Sequence, residues 1–239
     1  MEESLLARKL RFGARLGRPD VERLERMSLS SRSVRANTDL IREADPPYHV
    51  HVVQSGVACR YKLRPDGSRA IVALLLPGDF CDLHVSILGR MDHSIAALLD
   101  SEVTYVPEGE MLEMLETHPA IARACWWSTL VDEAILREWL VNVGRRPSEK
   151  QLGHLFCELY TRLHAVGLAT DARFRMPFTH VVLGDLLGLS SVHIQRVLRS
   201  LRQNGLITLQ DHWVGFPDFA AMAGFSEFDP GYLHMGERR

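Results

Sequence analysis

The pattern of apolar residues changes at Pro107, and this change limits the folds that the chain can adopt. From about residue 34 to residue 106, short β-rich runs are separated by turn signals at residues 55–56, 66–67 and 77–79. Each signal contains a glycine, which tolerates the positive φ of tight turns. After Pro107, apolar residues recur at steps of three and four, which is typical of α-helices. The pattern therefore predicts an α+β fold, with a barrel or sandwich of strands first and helices after it.

Pro119 begins the longest helical pattern, which we expect to end near residue 143. Its apolar positions are Ile121, Ala124, Trp127, Val131, Ala134, Ile135 and Trp139. A single helix with this many large apolar residues needs a surface to bury against. Part of it could pack on the strands of its own chain, and two copies could pair as a coiled coil along the free side. We favour pairing.

Residues 145–147 are predicted to interrupt this helix, because Pro147 disfavours helical geometry in the residue before it. Ser148 and Gln151 then have the spacing of a capping box, which starts a new helix. We therefore place the domain boundary between residues 142 and 148. The sequence predicts an N-terminal domain over residues 1–118, a long helix over 119–144 and a C-terminal domain over 145–239.

The charge of the chain is distributed unevenly. The net charge is −2, but residues 31–144 hold 10 Lys and Arg against 16 Asp and Glu. Residues 145–205 hold 9 Lys and Arg against 4 Asp and Glu, with four histidines besides. Phosphate binding needs local positive charge and not a positive whole protein. The C-terminal third is therefore the candidate region for nucleic-acid binding.

Two short helices joined by a glycine turn are predicted within this basic region. Thr179 is a good N-cap for the first helix, and Gly188 can take the positive φ that ends it. Ser190 caps the second helix, while the small Gly184 lies where two steeply crossing helices come close. The inward stripe of the second helix is Ile194, Val197, Leu198 and Leu201. This is the pattern of a helix-turn-helix, and residues 206–209 and 213–216 add a predicted hairpin or wing.

The polar face of the second helix predicts contacts to DNA. Arg196 has the geometry to bind guanine, Gln195 to bind adenine, and Val192 to touch a thymine methyl group. The full predicted set is Thr179, Ser190, Ser191, Val192, His193, Gln195, Arg196 and Arg199. The alternative is a small helical hairpin with a solvated basic face.

The order of these parts resembles the cyclic-AMP receptor/fumarate–nitrate regulator (CRP/FNR) family of bacterial transcription factors. The resemblance covers nearly the whole chain and is strongest over residues 183–207, with further matches at 55–57, 66–67 and 76–80. It implies a double-stranded β-helix (a jelly-roll similar to cyclic-nucleotide-binding domains), a dimerisation helix and a winged helix-turn-helix. It also implies a homodimer that reads a palindrome, with one recognition helix in each major groove, and RNA polymerase as a partner.

The resemblance places an effector pocket at Asp82, Leu83, His93 and Ser94. The cyclic-nucleotide receptors hold ribose and phosphate with a Gly-Glu-Leu segment and an Arg-Ser pair, where this chain has Cys81-Asp82-Leu83 and His93-Ser94. Without that arginine, the bidentate cation for the cyclic phosphate is missing. Cyclic AMP is therefore not expected, and the sequence does not identify the effector.

No other cofactor is expected. The four cysteines lack the short spacings typical of iron–sulfur ligands, and the cysteine ligands of the oxygen-sensing relatives are absent. A haem or metal bound by His84 or His93 is not expected either. His49 and His51 have the spacing of a cupin metal site, but no glutamate follows them. A cupin-type metalloenzyme and a protein-interaction module stay as the alternatives.

Catalysis and membrane insertion are not expected. The chain has no G-x-S-x-G, P-loop or H-E-x-x-H motif, so it is not predicted to be an enzyme. No apolar run reaches the roughly 18 residues of a membrane span, and the basic N-terminal segment lacks the features of a signal peptide. We expect a cytoplasmic protein that does not bind membranes.

Overall fold

The computed structural model describes residues 3–83, 85–176 and 178–236, with no statement on the side chains of residues 85 and 86. The chain divides into two compact units, residues 1–132 with 236–239, and residues 133–235. The elements that lie wholly in the first unit are α1 (Leu5–Leu10), α2 (Arg18–Ser28), β1 (Ser31–Val34), β2 (Asp39–Ile41), β3 (His49–Ser55), β4 (Ala58–Leu63), β5 (Arg69–Leu75), α3 (Val85–Leu88), β6 (Ser94–Ala97), β7 (Ser101–Pro107) and α4 (Glu108–Thr117).

The strands of the first unit form two antiparallel sheets. One has the order β1-β7-β3 and the other β2-β6-β4-β5. The predicted turns lie between these strands, and Gly56, Gly67 and Gly78 have φ values of 81°, 80° and 92°. Such values suit glycine because it has no Cβ. The α+β fold with a β-roll that the sequence predicts is confirmed, while the short strands β1 and β2 carry no strong sequence signal.

Two apolar clusters hold the first unit together. A smaller one fills the β-roll, and its members are Val53, Ala58, Leu75, Cys81, Met91 and Ile95. A larger one joins α1, α2, β3, α4 and the start of the next helix, and it includes Leu6, Leu10, Leu24, Val52, Met111 and Ile121. The N-terminal helices therefore belong to the core of this unit.

The N-terminal helix α1 packs directly on the turn at residues 77–79. A Cβ on Gly78 would lie 2.8 Å from the carbonyl oxygen of Leu5, so only glycine fits this approach. Lys9 forms a buried ion pair with Asp79. The second oxygen of the same carboxylate accepts the backbone N–H of Leu76 at 2.9 Å. One buried carboxylate thus joins α1 to the end of β5.

The long helix α5 (Pro119–Arg145) begins in the first unit and ends in the second. The predicted apolar stripe is buried, apart from the half-buried Trp127. Trp127 stacks on Phe12 with ring centroids 6.3 Å apart. This stripe therefore packs within the chain. The predicted domain limits at residues 118 and 144 stay predictions.

The second unit is built around α6 (Ser148–Ala165). Its other elements are β8 (Arg173–Arg175), α7 (His180–Leu187), α8 (Ser191–Gln203), β9 (Thr208–Gln210), β10 (Trp213–Gly215), α9 (Phe219–Ser226) and a 3-10 helix (Pro230–Leu233). The three strands form a sheet with the order β8-β10-β9. The predicted wing is confirmed as β9 and β10, but β8 and α9 were not predicted.

A buried carboxylate on α6 joins three parts of the second unit. Glu158 is fully buried, and Trp139 Nε1 and Tyr232 Oη each donate to its Oε2 at 2.9 Å. Arg162 donates to the other oxygen at 3.1 Å. Burial, with Glu158 nearby, raises the pKa of Tyr232 well above its ordinary value, so its hydroxyl stays a donor. The end of α5 and the C-terminal segment are thereby fixed to α6.

Candidate nucleic-acid interface

Side-chain caps and a glycine set the ends of α7 and α8 as the sequence predicts. Thr179 Oγ1 accepts the backbone N–H of Val182 at 3.2 Å, and Ser190 Oγ accepts that of His193 at 3.2 Å. Gly188 ends α7 with φ 67°. These bonds satisfy N–H groups that the first turn of a helix leaves unpaired. The turn between the two helices is therefore set by local sequence.

The two helices cross steeply and at close range. Their axes are bent by 98° relative to each other, within the range of helix-turn-helix motifs. A Cβ on Gly184 would lie 2.4 Å from the carbonyl oxygen of Leu189. The predicted need for a small residue at this position is confirmed.

The second helix has one buried and one exposed face. Ile194, Val197, Leu198 and Leu201 are all buried. All eight predicted DNA-contact residues, from Thr179 to Arg199, are exposed, and α8 contains no acidic residue. The exposed face presents two arginines and a glutamine within five residues, Gln195, Arg196 and Arg199. That arrangement offers hydrogen-bond donors to base edges and to phosphates.

His193 differs from its neighbours, because its ring also contacts the protein. Its Nε2 lies 2.9 Å from Ser148 Oγ, at the start of α6. The predicted capping box at Ser148 is therefore wrong: Pro147 is the N-cap and makes no side-chain cap bond. Gln151 Nε2 instead donates to the carbonyl oxygen of Arg146 at 2.8 Å, at the end of α5.

The sheet beside α8 adds residues that the sequence reasoning missed. Arg173 and Arg175 on β8 are exposed on either side of the buried Phe174, and Trp213 on β10 is 40% exposed. Trp213 pairs in register with Arg175 on one side and Gln210 on the other. The guanidinium of Arg173 lies 5.3 Å from the Trp213 ring centre. The sequence signal for these residues is the pair of arginines on either side of the apolar Phe174, which is the alternation of a half-buried strand.

A groove of about 550 Å³ connects α8 to this sheet. It is lined by Arg199, Arg202, Gln203, Ile207, Thr208, Leu209 and Gln210. Because Gln210 is also the register partner of Trp213, one polar row runs from α8 across the outer face of the sheet. The second unit therefore presents a continuous surface of arginine, amide and aromatic groups.

The predicted effector positions lie in the first unit, and Asp82 points into its interior. Asp82 is fully buried, and its Oδ1 accepts the backbone N–H of His51 at 2.7 Å. Its Oδ2 lies 2.5 Å from Nδ1 of the same histidine. Both carboxylate oxygens are thus engaged by His51 on β3.

The other predicted effector residues are also engaged by the protein. Ser94 Oγ accepts the backbone N–H of Glu43 at 2.9 Å, and His93 Nδ1 lies 2.6 Å from Asp92. Burial lowers the pKa of His93, against the bond to Asp92. Leu83 packs against the larger apolar cluster. Both oxygens of Asp82 bond His51, and position 93 is a histidine; the expectation that the chain does not bind cyclic AMP stays a prediction, and His84 lies outside the described residues.

The cysteines and histidines elsewhere give no other centre. All four cysteines are buried with free thiols, and burial raises the pKa of Cys125 and Cys157 to about 12. Within the described ranges, no three His, Cys, Asp or Glu side chains are grouped so that they could hold a metal ion. No single described helix is long and apolar enough to span a membrane; α7 and α8 pass such a test only when taken together across their bend.

One face of α5 remains exposed although it is apolar. Trp126 is 71% exposed and Leu140 72% exposed, and Leu130, Leu136 and Val143 are also exposed. Leu136, Leu140 and Val143 follow at steps of four and three, as the seam residues of a coiled coil do. This face is separate from the buried stripe of the same helix.

Comparison with known families matches both units. Residues 31–118 match the family described as the cyclic nucleotide-binding domain, and residues 150–225 match the Crp-like helix-turn-helix domain. A probable transcriptional activator of Rhizobium leguminosarum is 26% identical over 196 residues, which cover 82% of this chain and 80% of that protein. The transcriptional activator protein FnrL of Cereibacter sphaeroides is 27% identical over 184 residues, covering 75% and 73% of the two chains.

Solved structures show the same fold. The FixK2 structure from Bradyrhizobium japonicum superposes with a TM-score of 0.73 at 22% identity, covering 81% of this chain and 95% of that one. The c-di-GMP-responsive regulator CLP of Xanthomonas campestris gives a TM-score of 0.64 at 16% identity, covering 82% and 99%. The β-roll followed by a helix-turn-helix is thus shared across these chains.

Proposed function

Because the chain belongs to the CRP/FNR family of transcription regulators, we propose that it binds a palindromic DNA site as a homodimer and regulates transcription from it. The observation that carries this proposal is the exposed basic face of α8, which the caps and the tight crossing at Gly184 hold away from the unit's core. The curated relatives FnrL and FixK are named as a transcriptional activator and a nitrogen fixation regulation protein. The alternatives of a metalloenzyme and a protein-interaction module are not favoured.

In the proposed complex, α8 lies in the major groove with its N-terminal half toward the bases. Arg196 binds guanine and Gln195 binds adenine through their paired donors and acceptors, and Val192 contacts a thymine methyl group. Ser191 lies beside them at the helix start, and Thr179 and Ser190 contact phosphate near the helix N-termini. His193 orients α8 through Ser148 and contacts the backbone with its exposed edge.

The neighbouring sheet extends the proposed contact along the DNA backbone. Arg199 and Arg202 approach phosphates beside the half-site. Arg173, Arg175 and Trp213 contact the backbone farther from the centre of the site. These groups carry no sequence information and set the position of the protein on the duplex.

We infer that two copies associate along the exposed face of α5. Trp126, Leu136, Leu140 and Val143 would each lose exposed apolar surface, which drives association in water. Such a pair has twofold symmetry, so each half of the palindrome meets the same residues. RNA polymerase is the expected partner on the DNA, and we expect the protein to act in the cytoplasm without enzymatic activity.

Selection of DNA sites from a random duplex pool tests the proposal. The full chain should enrich palindromes whose half-sites lie about one helical turn apart. Light scattering should give twice the chain mass of 27.0 kDa, and Leu140→Glu, with Leu29→Glu as an exposed control, should reduce it to the monomer. Enrichment of no sequence at physiological salt, or no DNA binding at low salt, where electrostatic binding is strongest, would refute the proposed function.

A further inference from the structure

The first unit contains an arginine whose guanidinium is largely enclosed by the protein. Arg60 lies on β4, and its side chain is only 11% exposed. Its Nε donates to the carbonyl oxygen of Cys81 at 2.7 Å, and its Nη2 donates to Asp132 Oδ2 at 2.9 Å. A further contact of 3.4 Å joins Nη2 to the carbonyl oxygen of Phe80. One guanidinium therefore links β4, the segment that follows β5, and α5.

This guanidinium lies near Asp82 and His93, two of the positions that the resemblance assigns to an effector. It bonds the carbonyl group directly before Asp82. Burial lowers the pKa of His93, and the charge of Arg60 lowers it further. The residues from 78 to 82 are held from the other side by β3, since Cys81 N donates to the carbonyl oxygen of His51 at 2.8 Å. The segment is thus fixed on both sides by side chains and backbone of the same chain.

The geometry of this partly buried pair, in which the side chain of Asp132 is 24% exposed, indicates a positional role. Burial by itself disfavours the charged guanidinium, yet attraction by Asp132 raises the pKa of Arg60. Ion pairs commonly add little net stability, whether exposed or buried. The geometry of this pair is specific, however, because the planar fork binds two acceptors in fixed directions. The arrangement therefore contributes more to the relative placement of the segment at 80–82 and α5 than to net stability.

We propose that Arg60 replaces a bound effector. Its hydrogen bonds hold residues 80–82 against α5, so that DNA binding needs no cyclic nucleotide. The inference rests on the proposed function, because α5 continues into the unit that carries α8. In the cyclic-nucleotide receptors that the chain resembles, the corresponding segment binds ribose and phosphate. In this chain the segment bonds instead to Arg60 and, through Asp82, to His51.

Three measurements on the full chain test this inference. Calorimetric titration with cyclic AMP and cyclic GMP should show no binding up to millimolar concentration. Amide hydrogen exchange at residues 80–83 should be at least about tenfold faster in Arg60→Gln than in the natural chain, because the tie is removed. The matched control is Lys62→Gln on the same strand as Arg60. It removes an exposed ion pair with Glu43 and a bond to the carbonyl oxygen of Asp92, but no bond to residues 80–83, so it should leave this exchange unchanged.

The third measurement separates placement from stability. Arg60→Met combined with Asp132→Leu removes both charges without leaving one unpaired, and its melting temperature should match that of the natural chain. Its affinity for the selected palindrome should nevertheless fall by about 5- to 150-fold, the usual range of coupling between sites. Unchanged affinity in this folded variant, or micromolar binding of a cyclic nucleotide that strengthens DNA binding, would overturn the inference.

The hydrogen-exchange measurement also separates this inference from the proposed function. If the natural chain binds no DNA at all, the proposed function fails, and exchange at residues 80–83 still decides whether Arg60 ties the segment. If DNA is bound but exchange in Arg60→Gln equals that of Lys62→Gln, the tie is refuted and the proposed function stands.

Discussion

In the first unit, the polar residues at the candidate effector positions lie inside the protein, whereas in the second unit the polar residues of α8 lie on its surface. Asp82 bonds His51, and Ser94 bonds the backbone of Glu43. Arg196 and Arg199 lie on the exposed face of their helix. A family resemblance assigns both groups to ligand binding, but the first group is bonded within the chain and the second is exposed to solvent. Positions inherited from a family therefore need the contacts of the actual chain before they are called a site.

Removing a buried carboxylate from the first unit should give the largest effect and is the strongest test of this comparison. Asp82→Leu should lower the free energy of unfolding by about 3 kcal/mol, because the buried His51 ring and its backbone N–H lose their acceptor. Urea denaturation measures this loss, and the exposed Glu113→Ala should change the stability by less than about 0.5 kcal/mol. An unchanged free energy of unfolding would mean that the buried bonds of Asp82 do not stabilise the first unit.

A buried histidine of the second unit gives a pH-dependent test. His154 is 1% exposed, and burial together with Arg146 lowers its pKa to about 4, against the opposing charge of Glu138. The unfolded chain, with an ordinary histidine pKa of about 6.5, then binds more protons between these pH values. Stability should therefore fall as the pH drops from about 6.5 to about 4, by up to about 1.4 kcal/mol per pH unit.

Unfolding curves at several pH values measure this dependence. His154→Gln should remove the His154 contribution, while the exposed His180→Gln should leave the natural pH dependence in place. Identical curves for the natural chain and His154→Gln would contradict the lowered pKa.

The exposed face of α8 should give the next largest effect, on DNA binding and not on folding. Arg196→Ala should weaken binding to the selected site by about 1–3 kcal/mol and spare binding to random duplex. Arg199→Ala should weaken binding to both duplexes, because in the proposed complex Arg199 contacts phosphate. Fluorescence anisotropy with labelled duplexes measures these affinities, and an equal loss on both duplexes in Arg196→Ala would refute its role in base recognition.

A helix cap separates a folding role from a DNA-binding role at adjacent positions. Ser190→Ala should lower the free energy of unfolding by about 1 kcal/mol, because His193 N loses its acceptor. Ser191→Ala, one residue later, should leave stability unchanged and affect only DNA binding. Thermal melting of the two variants measures the difference, and equal melting temperatures would contradict the cap assignment.

The smallest effect is expected from the sheet beside α8. Arg173→Gln with Arg175→Gln should weaken binding by a few fold and reduce the slope of log K against log salt by about 0.9 for each phosphate that the variant no longer neutralises. Truncating the duplex to the central palindrome should abolish the difference between this variant and the natural chain. Arg64→Gln, an exposed arginine of the first unit, should leave the slope unchanged.

Short sequence motifs predict the fold correctly where the turns and caps depend on residues close together in the chain. The glycine turns at 56, 67 and 78, the caps at Thr179 and Ser190 and the break before Pro147 each depend on residues within a few positions, so their sequence patterns are sufficient. The capping box at Ser148 failed because its hydroxyl contacts His193, which comes 45 residues later.

The candidate effector site was harder to predict for the same reason. Arg60 pairs with Asp132 at a separation of 72 residues, and His51 pairs with Asp82 at 31. Pattern and spacing do not reveal such pairs. The exposed face of α8 was predictable because helical periodicity alone decides which of its residues face outward.

The carboxylate of Glu158 has an evolutionary consequence. It accepts hydrogen bonds from a tryptophan, a tyrosine and an arginine that come from separate stretches of the chain. Replacing it alone removes the acceptor that these three side chains share, so we expect substitutions at position 158 to occur together with changes at positions 139, 162 and 232. Across homologous sequences, these four columns should therefore vary together.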